Sequence, residues 1–170
     1  MYKVGILTAS DKGSQGQRED LSGPAIKEIV SKYEIFNVEI YKMIPDDKEL
    51  IKKTLIQMAD INNINLILTT GGTGFSKRDV TPEATLEVIE RRVPGIPEAM
   101  RNFSLQITPR AMLSRAESGI RGNTLIINLP GSPKAIKEML DYILPSVIHG
   151  LDILTGADSE CANIAPLQKL

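Results

Sequence analysis

One stretch of the sequence decides the fold, residues 66–83, LILTTGGTGFSKRDVTPE. It begins with three apolar residues, too short a run for a helix, and continues into a loop with three glycines. Thr81-Pro82-Glu83 then predicts the start of a helix, because threonine is a favourable N-cap and proline is pre-set for the first helical turn. The stretch therefore predicts a buried strand, a glycine loop and a helix in succession.

The loop in this stretch has the composition of a phosphate site. Its small residues let backbone N–H groups approach an anion closely, and Lys77 and Arg78 add positively charged donors. Asp79 is repulsive beside a phosphate unless a cation lies between the two charges. We therefore expect a phosphate site that includes Mg²⁺. The alternative is a plain glycine-rich turn, and the basic pair together with Asp79 argues against it.

Two common nucleotide-binding motifs do not fit. The P-loop string of Gly, four residues and then Gly-Lys-Ser/Thr is absent. Gly72-Thr73-Gly74 begins like a dinucleotide fingerprint, but Lys77 stands where the third glycine is required. The failed fingerprint, and the lack of an evident ribose-binding acid, disfavour a nicotinamide dehydrogenase.

The composition bounds the class of protein. A chain of 170 residues with 42% hydrophobic and 24% charged residues predicts an ordinary globular protein, which we divide into one domain, 1–155, and a tail, 156–170. A net charge of −1 and 4% aromatic residues argue against nucleic-acid binding. No apolar run is long enough for a signal peptide or a membrane span, so we expect a cytoplasmic protein.

The chain has one cysteine, Cys161, and one histidine, His149. It cannot form a disulfide within itself or assemble a zinc site from cysteine and histidine alone. His149 falls on a predicted amphipathic helix away from the glycine loops, which favours a packed or surface histidine over a catalytic one. Cys161 is interpreted as an ordinary thiol.

Strand and helix patterns alternate along the rest of the chain. Strands are predicted at residues 2–8, 36–40 (towards an edge), 66–68 and 124–129. One helix is predicted to start at Ser22, a second to follow an N-cap at Asp46 with Glu49 in the capping-box position, and a third to run from Thr81 to Arg92. Three more are predicted from Glu98 to Gln106, from an N-cap at Ser132 to Ile143, and from a break at Pro145 to Leu154. Residues 118–121 are expected to pair antiparallel with 124–129 across a Gly122-Asn123 turn. The alternation predicts a mostly parallel sheet with helices on both faces.

The loops that follow the predicted strands hold most of the polar and glycine-rich chemistry. In such folds ligands bind at the carboxyl ends of the strands, near the point where the strand order reverses. These loops span residues 8–20, 43–47, 69–79 and 129–134. In the last of them Gly131 and Ser132 precede a helix N-terminus, which predicts a second anion-binding loop. The long loop 9–20 is equally consistent with a functional role and with a mobile surface excursion.

Several short strings, spread over most of the chain, match sequences typical of one family. They are TTGGTGFSKRDVTPEAT at 69–85, IPDD at 44–47, MLSR at 112–115, LPGSP at 129–133, DLSGP at 20–24 and IRGNTLIIN at 120–128. Together they resemble the MogA/MoaB family of molybdenum-cofactor biosynthesis. The opening segment SDKGSQGQREDLSGPA is closer to the MogA branch, and to the related gephyrin G domain, than to the MoaB branch.

The resemblance implies a fold and an activity. The fold is a three-layer α/β/α domain, usually trimeric, so a homotrimer is expected. The activity is molybdopterin adenylyltransferase, in which molybdopterin and ATP give adenylyl-molybdopterin and pyrophosphate with Mg²⁺. A MoeA-like molybdenum-insertion protein is the partner that the resemblance suggests.

The resemblance places the family's two essential aspartates on Asp46 and Asp79. The attacking phosphate monoester is already ionised at neutral pH, so a general base is hardly needed. We therefore interpret both aspartates as Mg²⁺ ligands, directly or through water, rather than as proton acceptors. A local alternative for Asp46 is the helix N-cap alone.

The other candidate site residues are expected to contact the pterin or the nucleotide. They are Ser10, Asp11, Asp20, Thr70, Gly71, Gly72, Thr73, Gly74, Arg78, Ser114, Pro130, Gly131 and Ser132. Capping and turn roles explain Ser10, Asp11 and Asp20 nearly as well, and Ser114 rests on the resemblance alone. Which loop takes the pterin and which the adenine is left open.

Other functions remain as alternatives. One is a MoaB-like homologue, or a different nucleotidyl transferase or hydrolase using the same pocket. Another is a non-catalytic pterin-binding or scaffold protein. Retention of both Asp46 and Asp79 favours an enzyme, because a pure carrier has no need for carboxylates beside phosphates.

Overall fold

A computed structural model of the chain describes residues 1–157, and within them it contains six strands and six helices. The strands are β1 (Tyr2–Ala9), β2 (Phe36–Ile44), β3 (Leu66–Thr70), β4 (Arg91–Arg92), β5 (Ser118–Arg121) and β6 (Thr124–Leu129). The helices are α1 (Asp11–Ser14), α2 (Ser22–Val30), α3 (Lys48–Ile56), α4 (Thr81–Val88), α5 (Gly95–Leu105) and α6 (Pro133–Thr155). Helix α3 continues into a π-helical turn, Gln57–Ile61, and a 3₁₀ turn, Pro109–Leu113, follows α5.

All six strands form one mixed sheet in the order β2-β1-β3-β6-β5-β4. The pairs β1–β2, β1–β3 and β3–β6 are parallel, whereas β5 pairs antiparallel with both β6 and β4. The continuous apolar runs of β1, β3 and β6 lie in the middle, because strands covered on both faces need apolar side chains on both. The alternating strand β2 lies at an edge, as predicted, and the hairpin across Gly122 is confirmed.

Helices cover both faces of the sheet, which confirms the predicted three-layer α/β/α architecture. Alternate residues of the central strands enter different cores, as the pleat requires. One core contains Ile6, Leu68 and Ile127 and is covered by α2, α5 and α6, while the other contains residues such as Ile67 and is covered by α3 and α4. Each fully buried leucine or isoleucine contributes about 1.5–3 kcal/mol to folding.

The helix predicted to run from Thr81 to Arg92 is shorter than expected. Helix α4 ends at Val88, and Arg91–Arg92 form a short strand beside β5. The backbones approach closely at Gly119, where a Cβ atom would lie 2.7 Å from the carbonyl oxygen of Arg91. The prediction of Thr81 as N-cap is also wrong, because Thr81 is the first helical residue and Val80 precedes it with no side-chain cap.

The predicted break at Pro145 is wrong as well, since α6 runs without interruption from Pro133 to Thr155. Pro145 is exposed, whereas Leu140, Leu144, Val147 and Leu151 on the other side of the helix are buried in the core. A proline inside a helix costs about 3 kcal/mol, and burial of a leucine or valine side chain returns about 1.5–3 kcal/mol each. The packed face therefore outweighs the missing hydrogen bond.

None of the helices in residues 1–157 is both long and apolar enough to cross a membrane. His149 is half-buried on α6 and lines neither of the two clefts described below. Cys161 lies outside the described residues, as does most of the predicted tail 156–170. Gly156 adopts a left-handed φ of +73° and ends α6.

Candidate functional site

The loops after β1, β2, β3 and β6 meet at the carboxyl edge of the sheet and surround a cleft of about 400 Å³. The cleft lies where β1 has β2 on one side and β3 on the other, the place expected for a ligand in an open α/β sheet. Eight of the predicted site residues line it: Ser10, Asp20, Asp46, Thr70, Gly71, Gly72, Asp79 and Gly131. We call it the carboxylate cleft, because it contains both Asp46 and Asp79.

Two positions of the glycine loop after β3 require glycine. Gly71 and Gly72 have positive φ values of +89° and +63°, which side chains of L-residues rarely tolerate. A Cβ atom on Gly71 would lie 2.1 Å from the carbonyl oxygen of Ala9, and one on Gly72 would lie 2.5 Å from the hydroxyl of Thr81 and 3.1 Å from Oδ1 of Asp46. The loop therefore passes directly beside the end of β1 and the carboxylate of Asp46.

Asp46 does not cap α3, contrary to the capping interpretation. The cap is its neighbour Asp47, whose Oδ1 accepts the backbone N–H of Leu50 at 2.8 Å. With Asp47 as N-cap, Glu49 also loses the capping-box position. Asp46 is instead paired reciprocally with Asp11, each backbone N–H donating to the other's carboxylate at 2.9 and 3.0 Å. This pairing leaves Asp46 in the cleft.

The electrostatic surroundings of Asp46 disfavour its negative charge. Burial raises the pKa of its carboxyl, and the charges of Asp11 and Asp79 raise that pKa further. The backbone N–H of Asp11 and the charge of Arg78 oppose the rise without cancelling it. A partly buried carboxylate next to like charges is stabilised by a bound cation.

Asp79 is held by its own loop. Its Oδ2 accepts the backbone N–H of Ser76 at 2.9 Å, and its N–H donates to the carbonyl oxygen of Ser76 at 3.0 Å. Oδ1 of Asp79 and Oδ1 of Asp46 form no hydrogen bond with any other residue in the range 1–157. Each carboxylate therefore has one oxygen available to a ligand.

These two oxygens fit Mg²⁺, which is commonly held in proteins by one or two carboxylates together with substrate phosphates and water. Within the described chain no group of three or more His, Cys, Asp or Glu side chains is placed to hold a metal. A cation here would therefore depend on a phosphate ligand to complete its coordination. That requirement matches a site that works on phosphates.

Arg78 is not directed into the cleft, although the sequence predicted it as a phosphate ligand. Its guanidinium makes a two-pronged ion pair with Asp11, from Nε to Oδ2 and from Nη2 to Oδ1, both at 2.9 Å. Hydrogen bonds from Arg78 hold the pKa of the Asp11 carboxyl below its usual range. Asp11 thus ties together the loops after β1, β2 and β3 and lines no cleft itself.

Asp20 has both carboxylate oxygens occupied. Oδ1 accepts the backbone N–H groups of Ser22 and Gly23 at 2.8 and 3.1 Å, and Oδ2 accepts the hydroxyl of Tyr41. Burial alone would raise the pKa of Asp20, but these hydrogen bonds outweigh it and lower the pKa. Burial and the same carboxylate raise the pKa of Tyr41 to about 12. The contacts of Asp20 anchor the start of α2 at the cleft wall.

The loop after β6 is fixed to both of its neighbours. Ser22 donates through its hydroxyl to the carbonyl oxygen of Gly131 at 2.7 Å, and Thr70 donates in the same way to Pro130 at 2.8 Å. Ser132 caps α6, as predicted, accepting the backbone N–H of Ala135 at 3.4 Å. Ser10 caps the short α1 through the N–H of Gly13 at 3.0 Å.

A second cleft of about 310 Å³ lies on the other side of Gly131. Four further predicted residues line it with Gly131: Thr73, Gly74, Ser114 and Pro130. The rest of its wall is largely apolar and includes Met100, Leu113 and Met139. We call it the apolar cleft. Asp11, Arg78 and Ser132 line neither cleft.

The sequence interpretation missed Arg115. Its guanidinium donates to the carbonyl oxygens of Gly74 (2.7 Å) and Asp79 (2.6 Å) and forms an ion pair with Glu83. Arg115 stands in the MLSR string, from which only Ser114 was selected. An arginine in a string that already resembled a family was the signal available.

Comparisons with known proteins show which family the chain belongs to. The family described as a probable molybdopterin binding domain matches residues 5–149. A molybdopterin adenylyltransferase from Helicobacter pylori strain J99 is 47% identical over 154 residues, covering 90% of this chain and 88% of the relative. The Escherichia coli K12 protein of the same name is 42% identical over 154 residues, covering 88% and 79%.

The solved structure of the molybdopterin biosynthesis enzyme MoaB from Thermus thermophilus has the same fold. It matches with a TM-score of 0.87 and 50% identity, covering 92% of this chain and 98% of that one. By sequence and by fold, the chain belongs to the molybdopterin-binding family that includes MogA and MoaB.

Proposed function

We propose that this chain is a molybdopterin adenylyltransferase. It transfers AMP from ATP to the terminal phosphate of molybdopterin and releases pyrophosphate. The observation that carries the proposal is the carboxylate cleft, where Asp46 and Asp79 lie beside the glycine loop after β3. Relatives named for this activity at 42–47% identity support it.

The reaction forms one phosphorus–oxygen bond and breaks another. An oxygen of the pterin phosphate attacks the α-phosphorus of ATP, and the bond from that phosphorus to the bridging oxygen of pyrophosphate breaks. The obstacle is the approach of two anions, so positioning and charge neutralisation carry the catalysis. No proton has to leave the nucleophile, which is consistent with a site that uses no histidine.

The protein holds the reacting groups with backbone donors. Backbone N–H groups of Gly71 to Gly74, and those at Gly131 and Ser132 before α6, bind and orient the phosphates. Asp46 and Asp79 hold the Mg²⁺, which when bound offsets the negative charge of the phosphates. This role uses the Oδ1 oxygen that each carboxylate has available.

The two clefts suit a substrate pair with two ring systems. Gly131 belongs to both clefts, so phosphates along the glycine loops would lie between a ring in the carboxylate cleft and a ring in the apolar cleft. The apolar wall with Met100 and Met139 provides a face on which a flat heteroaromatic ring can pack. One ring system is the pterin and the other is the adenine.

The assembly is a homotrimer in the cytoplasm that passes its product to a MoeA-like molybdenum-insertion protein. Exposed apolar side chains on and after α5, with one on α6, support self-association: Leu105, Ile107, Met112, Leu113 and Tyr142. Light scattering coupled to gel filtration tests the trimer. A monomer at micromolar concentration would contradict it.

The decisive experiment incubates the purified protein with molybdopterin, ATP and Mg²⁺ and follows adenylylated pterin and pyrophosphate. We expect equal amounts of the two products. Binding of molybdopterin without transfer would instead identify a non-catalytic pterin-binding homologue. Transfer to a different phosphate acceptor, with none to molybdopterin, would indicate another nucleotidyl transferase.

A further inference from the structure

Arg115 holds both ends of the loop that carries Asp79. Its Nε donates to the carbonyl oxygen of Gly74 at 2.7 Å, and its Nη2 donates to the carbonyl oxygen of Asp79 at 2.6 Å. Its backbone N–H donates to the carbonyl oxygen of Thr73 at 3.0 Å. One residue therefore spans the loop 74–79 at its start and its end.

That loop has little else to fix its position. Residues 75–78 are all exposed, and the side chain of Phe75 is 71% exposed, so no buried apolar group anchors the loop. The hydrogen bonds between Ser76 and Asp79 close the loop on itself without attaching it to the sheet. The ion pair of Arg78 with Asp11 lies at the surface and attaches the loop to the segment after β1 through one residue only. Arg115 differs from that pair because it fixes both ends of the loop, including the carbonyl group of Asp79 itself.

Glu83 in turn holds Arg115 from the first turn of α4. Its Oε1 pairs with Nη1 of Arg115, while its Oε2 is buried and has no hydrogen-bond partner among residues 1–157. A carboxylate with a buried, unpaired oxygen relies on the neighbouring guanidinium for its charge balance. The pair therefore attaches the loop to α4 through directed hydrogen bonds.

Arg115 does not line the carboxylate cleft or the apolar cleft. It borders instead a shallow hollow on the outer side of the loop, together with Phe75, Lys77 and Glu83. A direct contact with a substrate bound in either cleft is therefore not the role that its location supports.

We propose that Arg115 is a positioning residue that sets the place of the Asp79 carboxylate for adenylyl transfer. This inference rests on the proposed function and adds to it a residue outside both clefts. Misplacement of a catalytic group by about 1 Å costs about 100-fold in rate. A positioning role predicts a lower kcat with substrate affinity retained, since the binding walls do not change.

The test compares four proteins: the wild type, Arg115→Met, Arg115→Lys and the control Arg92→Met. Arg92 makes a comparable exposed ion pair with Glu117 at 3.0 Å and lines neither cleft. Four quantities are measured: kcat, KM for each substrate, the molybdopterin Kd, and hydrogen exchange of the amides of residues 75–79.

For Arg115→Met we expect kcat to fall about 10- to 100-fold, with KM and Kd within about threefold of wild type. Amide exchange in 75–79 should accelerate while α2 and α6 keep their protection. Arg115→Lys should recover little, because one ammonium group cannot replace three directed N–H donors. Arg92→Met should match the wild type in every readout.

Several outcomes would overturn the proposal. A raised KM at unchanged kcat would make Arg115 a binding residue, full recovery in Arg115→Lys would reduce its role to charge, and unchanged exchange in the loop would remove the positioning role. If Arg115→Met unfolds because Glu83 is left unpaired, the double variant Arg115→Met/Glu83→Gln removes that charge and is tested in the same way. If the wild type shows no transfer activity, only the proposed function is overturned. Amide hydrogen exchange in the loop, together with the molybdopterin Kd, would still decide whether Arg115 fixes the loop.

Discussion

The backbone N–H of Asp46 donates to Oδ1 of Asp11 at 3.0 Å, and the backbone N–H of Asp11 donates to Oδ2 of Asp46 at 2.9 Å. This reciprocal pair joins the loops that follow two neighbouring parallel strands. It also fixes which of two adjacent aspartates enters the cleft, because Asp47 is left to cap α3. The pair thus orients one carboxylate towards the cleft, and the ion pair of Arg78 with Asp11 holds the other.

Asp79→Asn is expected to abolish adenylyl transfer, with a loss of at least about 100-fold, and to change molybdopterin affinity little. The amide keeps the size of the side chain but removes the charge that holds the cation. Product formation and pterin Kd are the measurements. The matched control is Asp47→Asn, which should stay active because asparagine is an equally good N-cap. Near-normal turnover of Asp79→Asn would remove the metal role.

Asp46→Asn is expected to raise the melting temperature at pH 7 in the presence of a chelator. Burial raises the pKa of Asp46 in the folded protein, so the folded state loses stability as pH rises from the ordinary value of 3.8 through that raised pKa. The neutral amide removes this penalty, and its advantage should disappear in more acidic solution. Melting curves between pH 3 and 8 test whether the variant melts above the wild type at neutral pH and loses this advantage in acid.

Asp60→Asn is a control variant for which we expect the opposite change in melting temperature. A hydrogen bond from Arg121 lowers the pKa of Asp60, so its contribution to stability is present above its ordinary pKa and lost as pH falls through the lowered one. That variant should melt lower than wild type at pH 7. If Asp46→Asn and Asp60→Asn change the melting temperature at pH 7 in the same direction, the raised pKa of Asp46 is contradicted.

Gly72→Ala is expected to lower both stability and activity. Its positive φ costs a residue with a side chain about 1–2 kcal/mol, and the new methyl group would also contact Thr81 and Asp46. Gly16→Ala is the matched control, because Gly16 has a φ of +71° and nothing within 4 Å of an added Cβ. Urea unfolding should show a loss in both variants, and only Gly72→Ala should reduce transfer.

Asn128→Ala is expected to destabilise the fold by roughly 2–4 kcal/mol. Asn128 is fully buried in β6 and donates to the hydroxyls of Thr69 and Thr85, both at 2.9 Å, while its Oδ1 accepts the N–H of Glu117. Its removal leaves two buried hydroxyl groups and one partly buried N–H group without this partner. Asn65→Ala, which loses only an exposed hydrogen bond to Lys3, should cost less than about 1 kcal/mol.

Much of the fold could be predicted because local patterns determine it. The apolar runs of β1, β3 and β6 predicted central strands, and the alternating β2 predicted an edge. The glycine-rich loops that follow those strands predicted where the cleft would be. Hydrophobic periodicity and the residue preferences of turns depend on neighbours within a few positions, so they can be recognised from the sequence alone.

The remaining features depend on contacts between distant residues. Asp46 and Asp47 both satisfy the N-cap pattern, and the choice between them is made by Asp11, which lies 35 residues earlier in the chain. Strand β4 has two residues and exists only because β5 pairs with it. Arg115 contacts groups 32 to 41 residues away, which no local pattern indicates.

Gly131 stands on the wall shared by the two clefts, and no atom lies within 4 Å of a Cβ added there. Its φ is not positive, so a side chain at this position meets neither strain nor collision. Position 131 can therefore accept a side chain at little expense in folding. A larger residue introduced at 131 would narrow the passage between the carboxylate cleft and the apolar cleft and leave the backbone of the loop in place.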